Sequence, residues 1–142
     1  MTIDRSIDPT ADQVRALRDN GPDGPIVMVN LLKFRETAAY PEGSGFEPCS
    51  GAEAYQRYQH AFTITVGEVS QAEVLYEGAV NQVFIGDPAA AAADWDKVLI
   101  VRYPTRGHFL AMMANENYRE ALVHRYAGLA RTVLLQCDGR PR

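Results

Sequence analysis

Two stretches of the chain are apolar at nearly every position, and others carry apolar residues at every third or fourth. The first continuous run, PIVMVNLLKFR from Pro25 to Arg35, holds IVMVNLL, and the second, KVLIVRYP, holds VLIV. Apolar residues at both parities predict strands buried on both faces. Only Asn30 and Lys33 interrupt the first run, and alternation sends them to opposite faces of the sheet. The segment AEAYQRYQHAFTITVGEVS has helical periodicity, with Tyr55, Tyr58, Phe62, Val66 and Val69 on one side and Arg57 and His60 turned away. Before these elements, Thr10 followed by Gln13 is a capping-box pattern for a short helix whose Val14 and Leu17 share a face, and NGPDGP ends it. The segment EVLYEGAVNQVFIG predicts a long, bent strand or hairpin arm stopped by Gly86 and Pro88. Thr105 caps a helix containing Phe109, Met112 and Met113. Asn115 is placed to open a further helix with Tyr118, Leu122 and Leu129 inward, and TVLLQC makes a last strand.

After the first helix the order is strand, helix, strand, strand, helix, strand. That is an α+β fold of the ferredoxin-like, split βαβ kind with an antiparallel sheet. Its two helices cover one face of the sheet only. The apolar residues of both parities need a cover for the second face, and the sheet of a second copy supplies it, so the pattern predicts a homodimer. The expected organisation is an N-terminal helix and linker over 1–24, a single domain over 25–138 and a tail over 139–142. The loop ETAAYPEGSGFEPCSG, over 36–51, is longer than most connections in a compact domain and is a candidate lid or dimer arm.

Four fragments in combination, GPIVMVNLLKFR, AYQRY, WDKVLIVRYPTRGHFLAMM and YREALVHRYAGL, resemble the family called domain of unknown function 1330. That family is a branch of the dimeric α/β-barrel superfamily. The resemblance runs from about the first helix to the last strand, and the N-L-L-K-F run and the R-Y-P-T-R turn carry most of it. It implies a ferredoxin-like monomer whose sheet packs on that of a second copy. It also implies kinship with cofactor-free monooxygenases, muconolactone-type isomerases, EthD-like proteins and haem-binding chlorite dismutases, without bringing a reaction of its own. The chain departs from the family where a double glycine often follows the first long helix: here VGEVS carries only Gly67.

Composition narrows the function classes. The 142 residues are 46% hydrophobic and 23% charged, with a net charge of −4 and acidic and basic residues interleaved. No clustered Lys and Arg surface is available to track phosphates, which argues against nucleic acid. The polar start MTIDRSIDPTADQ predicts neither a secretion signal nor a membrane anchor. Cys49 and Cys137 read as reduced thiols of a cytoplasmic protein.

Arg125 is the sharpest anomaly in the pattern, because helical spacing puts it on the inward stripe between Leu122 and Leu129. A guanidinium there must be paired. It serves either a structural ion pair, with Glu77 or Asp96, or a substrate carboxylate or enolate, which suits its two-pronged donor geometry. Tyr55 and Tyr58 are core bulk whose hydroxyls still need partners, a ligand oxygen among the candidates. Asn30 is a hydrogen-bond bracket or a ligand contact. Lys33 reads as a rim salt bridge, one that a dimer interface could share. Arg102 and Arg106 flank a strand end beside a helix start, where an anion would be favoured, although solvated charge is the plainer reading of Arg106. Trp95 and Met112 read as core or cleft lining. His124, beside Arg125, is the one histidine nominated as an acid/base. His60 and His108 have no metal-ligand spacing, and no cofactor motif is present.

Together these residues describe a small-molecule pocket between sheet and helices. Its catalytic candidates are Arg125, Tyr55 and His124, and its binding candidates are Asn30, Tyr58, Trp95, Arg102 and Met112. Two functions fit: a cofactor-free isomerase or monooxygenase acting on a small oxygenated or aromatic metabolite, or a non-catalytic ligand-binding or structural dimeric module.

Overall fold

The structure is a computed structural model and describes residues 4–140. Nine elements follow in order: α1 (Ala11–Asp19), β1 (Ile26–Phe34), α2 (Gly51–Ser70), β2 (Glu73–Ala79), a single 3₁₀ turn (Ala91–Ala93), β3 (Lys97–Tyr103), α3 (Arg106–Ala114), α4 (Tyr118–Gly128) and β4 (Leu129–Asp138). The four strands form one antiparallel sheet in the order β2-β3-β1-β4. This is the ferredoxin-like arrangement, in which β3 is inserted between the parallel strands β1 and β2.

Local signals account for most boundaries. Thr10 Oγ1 accepts from Gln13 N and the Gln13 side chain accepts from Thr10 N, a complete capping box. Ser50 caps α2 and Thr105 caps α3, each accepting from the backbone N–H three residues on. At the other end of α2, Gln71 takes the left-handed conformation (φ 50°) and donates its N–H to Gly67 O. α4 starts later than its sequence suggests. Asn115 stands in the bend between α3 and α4, accepting on its side chain from Asn117 N, and the helix begins at Tyr118.

The core lies between the helices and one face of the sheet. Ile26, Met28 and Leu32 of β1 and Leu99, Val101 and Tyr103 of β3 point there, against Tyr55, Tyr58 and Val66 of α2, Met112 of α3 and Tyr118 and Ala121 of α4. Val69, at the end of the predicted inward stripe of α2, is exposed. Ile7 closes the core from the amino-terminal side, and Ser6 accepts a hydrogen bond from Thr132 N of β4. The opposite face of the sheet carries Val27, Val29, Leu31, Val98, Ile100, Val133 and Leu135, and none of the four helices lies over it. These residues are only half-buried or exposed, Leu135 at 49%.

The predicted arm EVLYEGAVNQVFIG is shorter than its apolar content suggests. β2 ends at Ala79, and the chain leaves the sheet edge with Phe84 and Ile85 each 87% exposed. Val80 N still bonds to Asp96 O, one position beyond the last paired residues, and the chain then departs from the sheet. The 36–51 segment folds back onto the helices, with Ala38 N bonded to Cys49 O and Ala39 N to Ala127 O.

Candidate functional site

Arg125 lies where helical spacing puts it, on the face of α4 that looks into the tyrosine layer of the core. Its charge reaches Tyr55, Tyr58, Tyr118 and Tyr126 and eases the ionisation of each. Burial works against the charge of Arg125, yet the guanidinium, a very strong base, stays protonated. Neither proposed ion-pair partner reaches it. Glu77 faces Lys97 and accepts from Gln59 at 3.0 Å, whereas Asp96 bonds Lys33 at 3.3 Å and Phe34 N at 2.9 Å. Among the described residues Arg125 makes no salt bridge, hydrogen bond or cation–π contact. The cation is partly buried and has no counter-charge among the described residues.

The tyrosines around it form a connected layer. Tyr55 and Tyr58 are one helical turn apart with ring centroids at 5.2 Å, and Phe34 of β1 lies 5.5 Å from Tyr55. Tyr58 Oη and Tyr118 Oη are 2.8 Å apart. One of that pair donates to the other, so the acceptor keeps its own O–H for a further partner. Tyr55 Oη has no hydrogen-bond partner among the described residues. The one fully enclosed side-chain nitrogen or oxygen without a partner there is Arg35 Nε. Burial first of all drives the pKa values of Tyr55, Tyr58, Tyr103 and Tyr118 well above the ordinary tyrosine value. All four stay protonated near neutrality and present O–H donors, never phenolate bases.

Other nominated residues stand elsewhere. Asn30 is on the helix side of the sheet, but its Nδ2 donates to Leu99 O at 3.0 Å and Met28 O at 3.4 Å, which makes it a bracket across β1 and β3. Met112, 2% exposed, is sealed in the core. Arg102 pairs in register with Val27 and Glu73 on the other side of the sheet, away from the helices. Trp95 is also outside the tyrosine layer: its Nε1 donates to Ala92 O, and the Arg131 guanidinium stacks on its ring at 4.3 Å. Arg131 and Lys33 both bind Asp94, so Lys33 joins a rim network within one chain. Arg106, read as a solvated charge, clasps the end of α1 instead, donating to Leu17 O at 2.9 Å and Arg18 O at 2.7 Å.

His124 is buried and turns toward the 36–51 segment. Its Nδ1 lies 2.6 Å from Tyr40 Oη, and Phe46 packs edge-on against the imidazole at 4.7 Å. Burial, and after it the charge of Arg57, holds His124 below the usual histidine pKa. Helical spacing turns Arg57 away from the core without giving it a role, and Tyr40 and Phe46 are the residues that sequence reasoning missed. The only signal for them was the length of the loop and its two aromatic residues in a glycine-rich setting.

Two hollows mark the surface of the described residues. One is a groove of about 1040 Å³ between the 36–51 segment and the outer sides of α2 and α4, lined by Phe46, Arg57, His60, Ile64, Glu120 and His124 among others. The second, of about 360 Å³, lies between the end of α1 and the start of α3. Neither is lined by Arg125. Among the described residues no group of three His, Cys, Asp or Glu side chains could hold a metal ion, and no helix is long and apolar enough to cross a membrane. Cys49 and Cys137 are free.

Comparison with other proteins follows the fold. No family model matches the chain, and no curated protein matches it. Among solved structures, methylated RPA0582 protein is 32% identical, with 95% of each chain covered and a TM-score of 0.82. A second structure of RPA0582, described as a protein of unknown function from Rhodopseudomonas palustris, is 32% identical over 95% of this chain and 98% of its own, with a TM-score of 0.80. A dimeric ferredoxin-like protein of unknown function from Thermobifida fusca is 17% identical over 80% of this chain and 89% of its own, with a TM-score of 0.46. With a third of its residues shared over nearly its whole length, the chain belongs to the same protein family as RPA0582 of Rhodopseudomonas palustris.

Proposed function

We propose that the protein binds a small oxygenated anion, a carboxylate or an enolate, on Arg125 beneath α4. The observation that carries this reading is a partly buried guanidinium with no protein counter-charge among the described residues, facing neutral phenols. A fixed cation and preorganised O–H donors are what an oxyanion needs, and neither requires reorganisation when charge develops. The tyrosine rings and Phe34 supply an apolar wall that suits an aromatic or unsaturated body. Chemistry through an enolate, of the isomerase or cofactor-free monooxygenase type, is the reaction class this environment assists. The site contributes electrophilic stabilisation, since its tyrosines are held protonated and His124 is engaged by Tyr40.

The test is a thermal-shift series with small aromatic and unsaturated carboxylic acids against their amides. An acid present at a hundred times its Kd should stabilise the wild type by about 2.7 kcal/mol. Arg125→Ala should weaken that binding by roughly 30-fold or more, the scale of a lost charge-assisted contact. Equal shifts in the two proteins would remove Arg125 from the site.

The uncovered sheet face supports assembly as a homodimer through that face, and the N-L-L-K-F and R-Y-P-T-R motifs support membership of the domain of unknown function 1330 branch. Two free cysteines fit a cytoplasmic protein. Light scattering at micromolar concentration should give the mass of a dimer for the wild type. Ile100→Glu, at the centre of the open face, should give a monomer with an unchanged circular dichroism spectrum, because a charge in the middle of a desolvated interface costs several kcal/mol. A monomeric wild type rules this assembly out.

A further inference from the structure

We propose that the tip of the 36–51 segment is held on α2 and α4 by an acid-sensitive latch, the Tyr40 O–H donated to His124 Nδ1, which opens when the imidazole takes up a second proton. The direction of the hydrogen bonds follows from their neighbours. Arg57 Nη1 donates to Tyr40 Oη at 3.3 Å and to Glu47 O at 3.0 Å. A guanidinium can only donate, so the phenol oxygen is the acceptor there, and the latch assigns the phenol's single proton to His124 Nδ1, 2.6 Å away. Nδ1 is then bare, and the neutral imidazole carries its proton on Nε2.

A second proton breaks this chain. Nδ1 becomes a donor facing a donor, and the phenol oxygen would have to accept from two cations at once. The groups that face the imidazole decide the balance. From α2 come Arg57, Glu53 and His60, from α4 Glu120, and from the segment itself Tyr40 and Glu47. The carboxylates favour the imidazolium, yet burial and the Arg57 charge prevail and the pKa lies below 6.5. A base depressed in the closed form contributes its full stabilisation above 6.5. That contribution is lost as pH falls through the depressed value.

The rest of the segment shows what would move. Its base is pinned by Ala38 N to Cys49 O, Ala39 N to Ala127 O and the Thr37–Ser50 bridge, none of which titrates. Beyond that base Tyr40, Phe46 and Glu47 rest on His124 and Arg57, and Gly43 and Gly45 have φ of 79° and 80°. Lifting the tip removes one wall of the large groove, which Gly45, Phe46 and Glu47 line. The latch is independent of any ligand on Arg125, so its test needs none.

Amide hydrogen exchange of the full chain at pH 7.5 and pH 5.5, each corrected for intrinsic chemistry, reads the opening. The wild-type tip should lose protection on acidification by up to roughly tenfold, while α2 and β1 keep theirs. His124→Asn keeps an acceptor near the Nδ1 position without a titrating ring, and its tip should be protected equally at both values. Tyr40→Phe should leave the tip open at both. Carbon and nitrogen shifts of the His124 ring should report the Nε2–H tautomer at neutral pH. Unchanged tip protection in the wild type, the wild-type pH response persisting in His124→Asn, or a ring protonated on Nδ1 at neutral pH would each overturn the latch.

Discussion

Gly51→Ala and Gly128→Ala are each expected to destabilise the fold by about 3 kcal/mol or more, from a single added methyl group. The amino end of α2, the carboxyl end of α4 and the end of β1 meet here backbone to backbone. Arg35 N donates to Gly128 O at 2.8 Å, and Gly51 N donates to Arg35 O at 3.1 Å. A Cβ on Gly51 would overlap the Arg35 carbonyl oxygen and stand 2.7 Å from both Arg35 N and Gly128 O. On Gly128 it would stand 2.6 Å from Gly51 O and 3.0 Å from Tyr55 N. Backbone atoms cannot rotate aside as a side chain can, so relief requires the helices to part, and the tyrosine layer sits on the same contact. For a domain of this size the loss corresponds to roughly 10 °C in Tm. Gly67→Ala is the internal control. A Cβ there meets nothing nearer than Thr63 Cγ2 at 3.9 Å and Phe62 O at 4.0 Å, in the last turn of α2, and it should stabilise the protein by about 0.5–1 kcal/mol. Thermal unfolding followed by circular dichroism separates the three. Equal Tm values for wild type and Gly51→Ala would mean that the helices can separate freely at that crossing.

No periodicity announces this crossing. Apolar spacing finds which side of a helix is buried, and it placed Tyr55, Tyr58, Val66 and Arg125 correctly. It does not say where two helices come close enough to exclude a Cβ, because that depends on elements far apart in the chain. The same limit explains β2. Val83, Phe84 and Ile85 continue an apolar run, yet they belong to a loop, since pairing needs a neighbouring strand and Asp96 has already turned the chain back. Register decided the fate of the ion-pair candidates. Glu77 sits two strand positions from Lys97, across β2 and β3, and Asp96 lies beside Lys33 at the strand end. Each carboxylate was taken by the lysine its register offered, and Arg125 was left with hydroxyls. Asn30 and Lys33 were assigned to opposite faces by alternation alone, but only the coordinates separate a bracket from a ligand contact. Of the nominated pocket, Arg125, Tyr55 and Tyr58 come together, whereas Trp95, Arg102 and His124 serve other neighbourhoods.

Arg125→Met should raise the stability of the protein, by about 1–3 kcal/mol, while abolishing the response to acids. A methionine roughly matches the length of the arginine stem, fills the space against the tyrosines and removes a desolvated charge that no carboxylate among the described residues offsets. Arg125→Ala should not share the gain, because truncation leaves a cavity whose cost is of similar size to the relief. The comparison therefore separates two roles for the same guanidinium. If it organises the tyrosine layer, both variants lose stability, and near-ultraviolet circular dichroism records the loosened rings. If it is kept for a ligand, the methionine variant melts higher than the wild type without ligand and gains nothing from an acid that stabilises the wild type. A cation that weakens the empty fold persists in a site only where something binds to it, and melting the two variants with and without a carboxylate measures both halves of that statement.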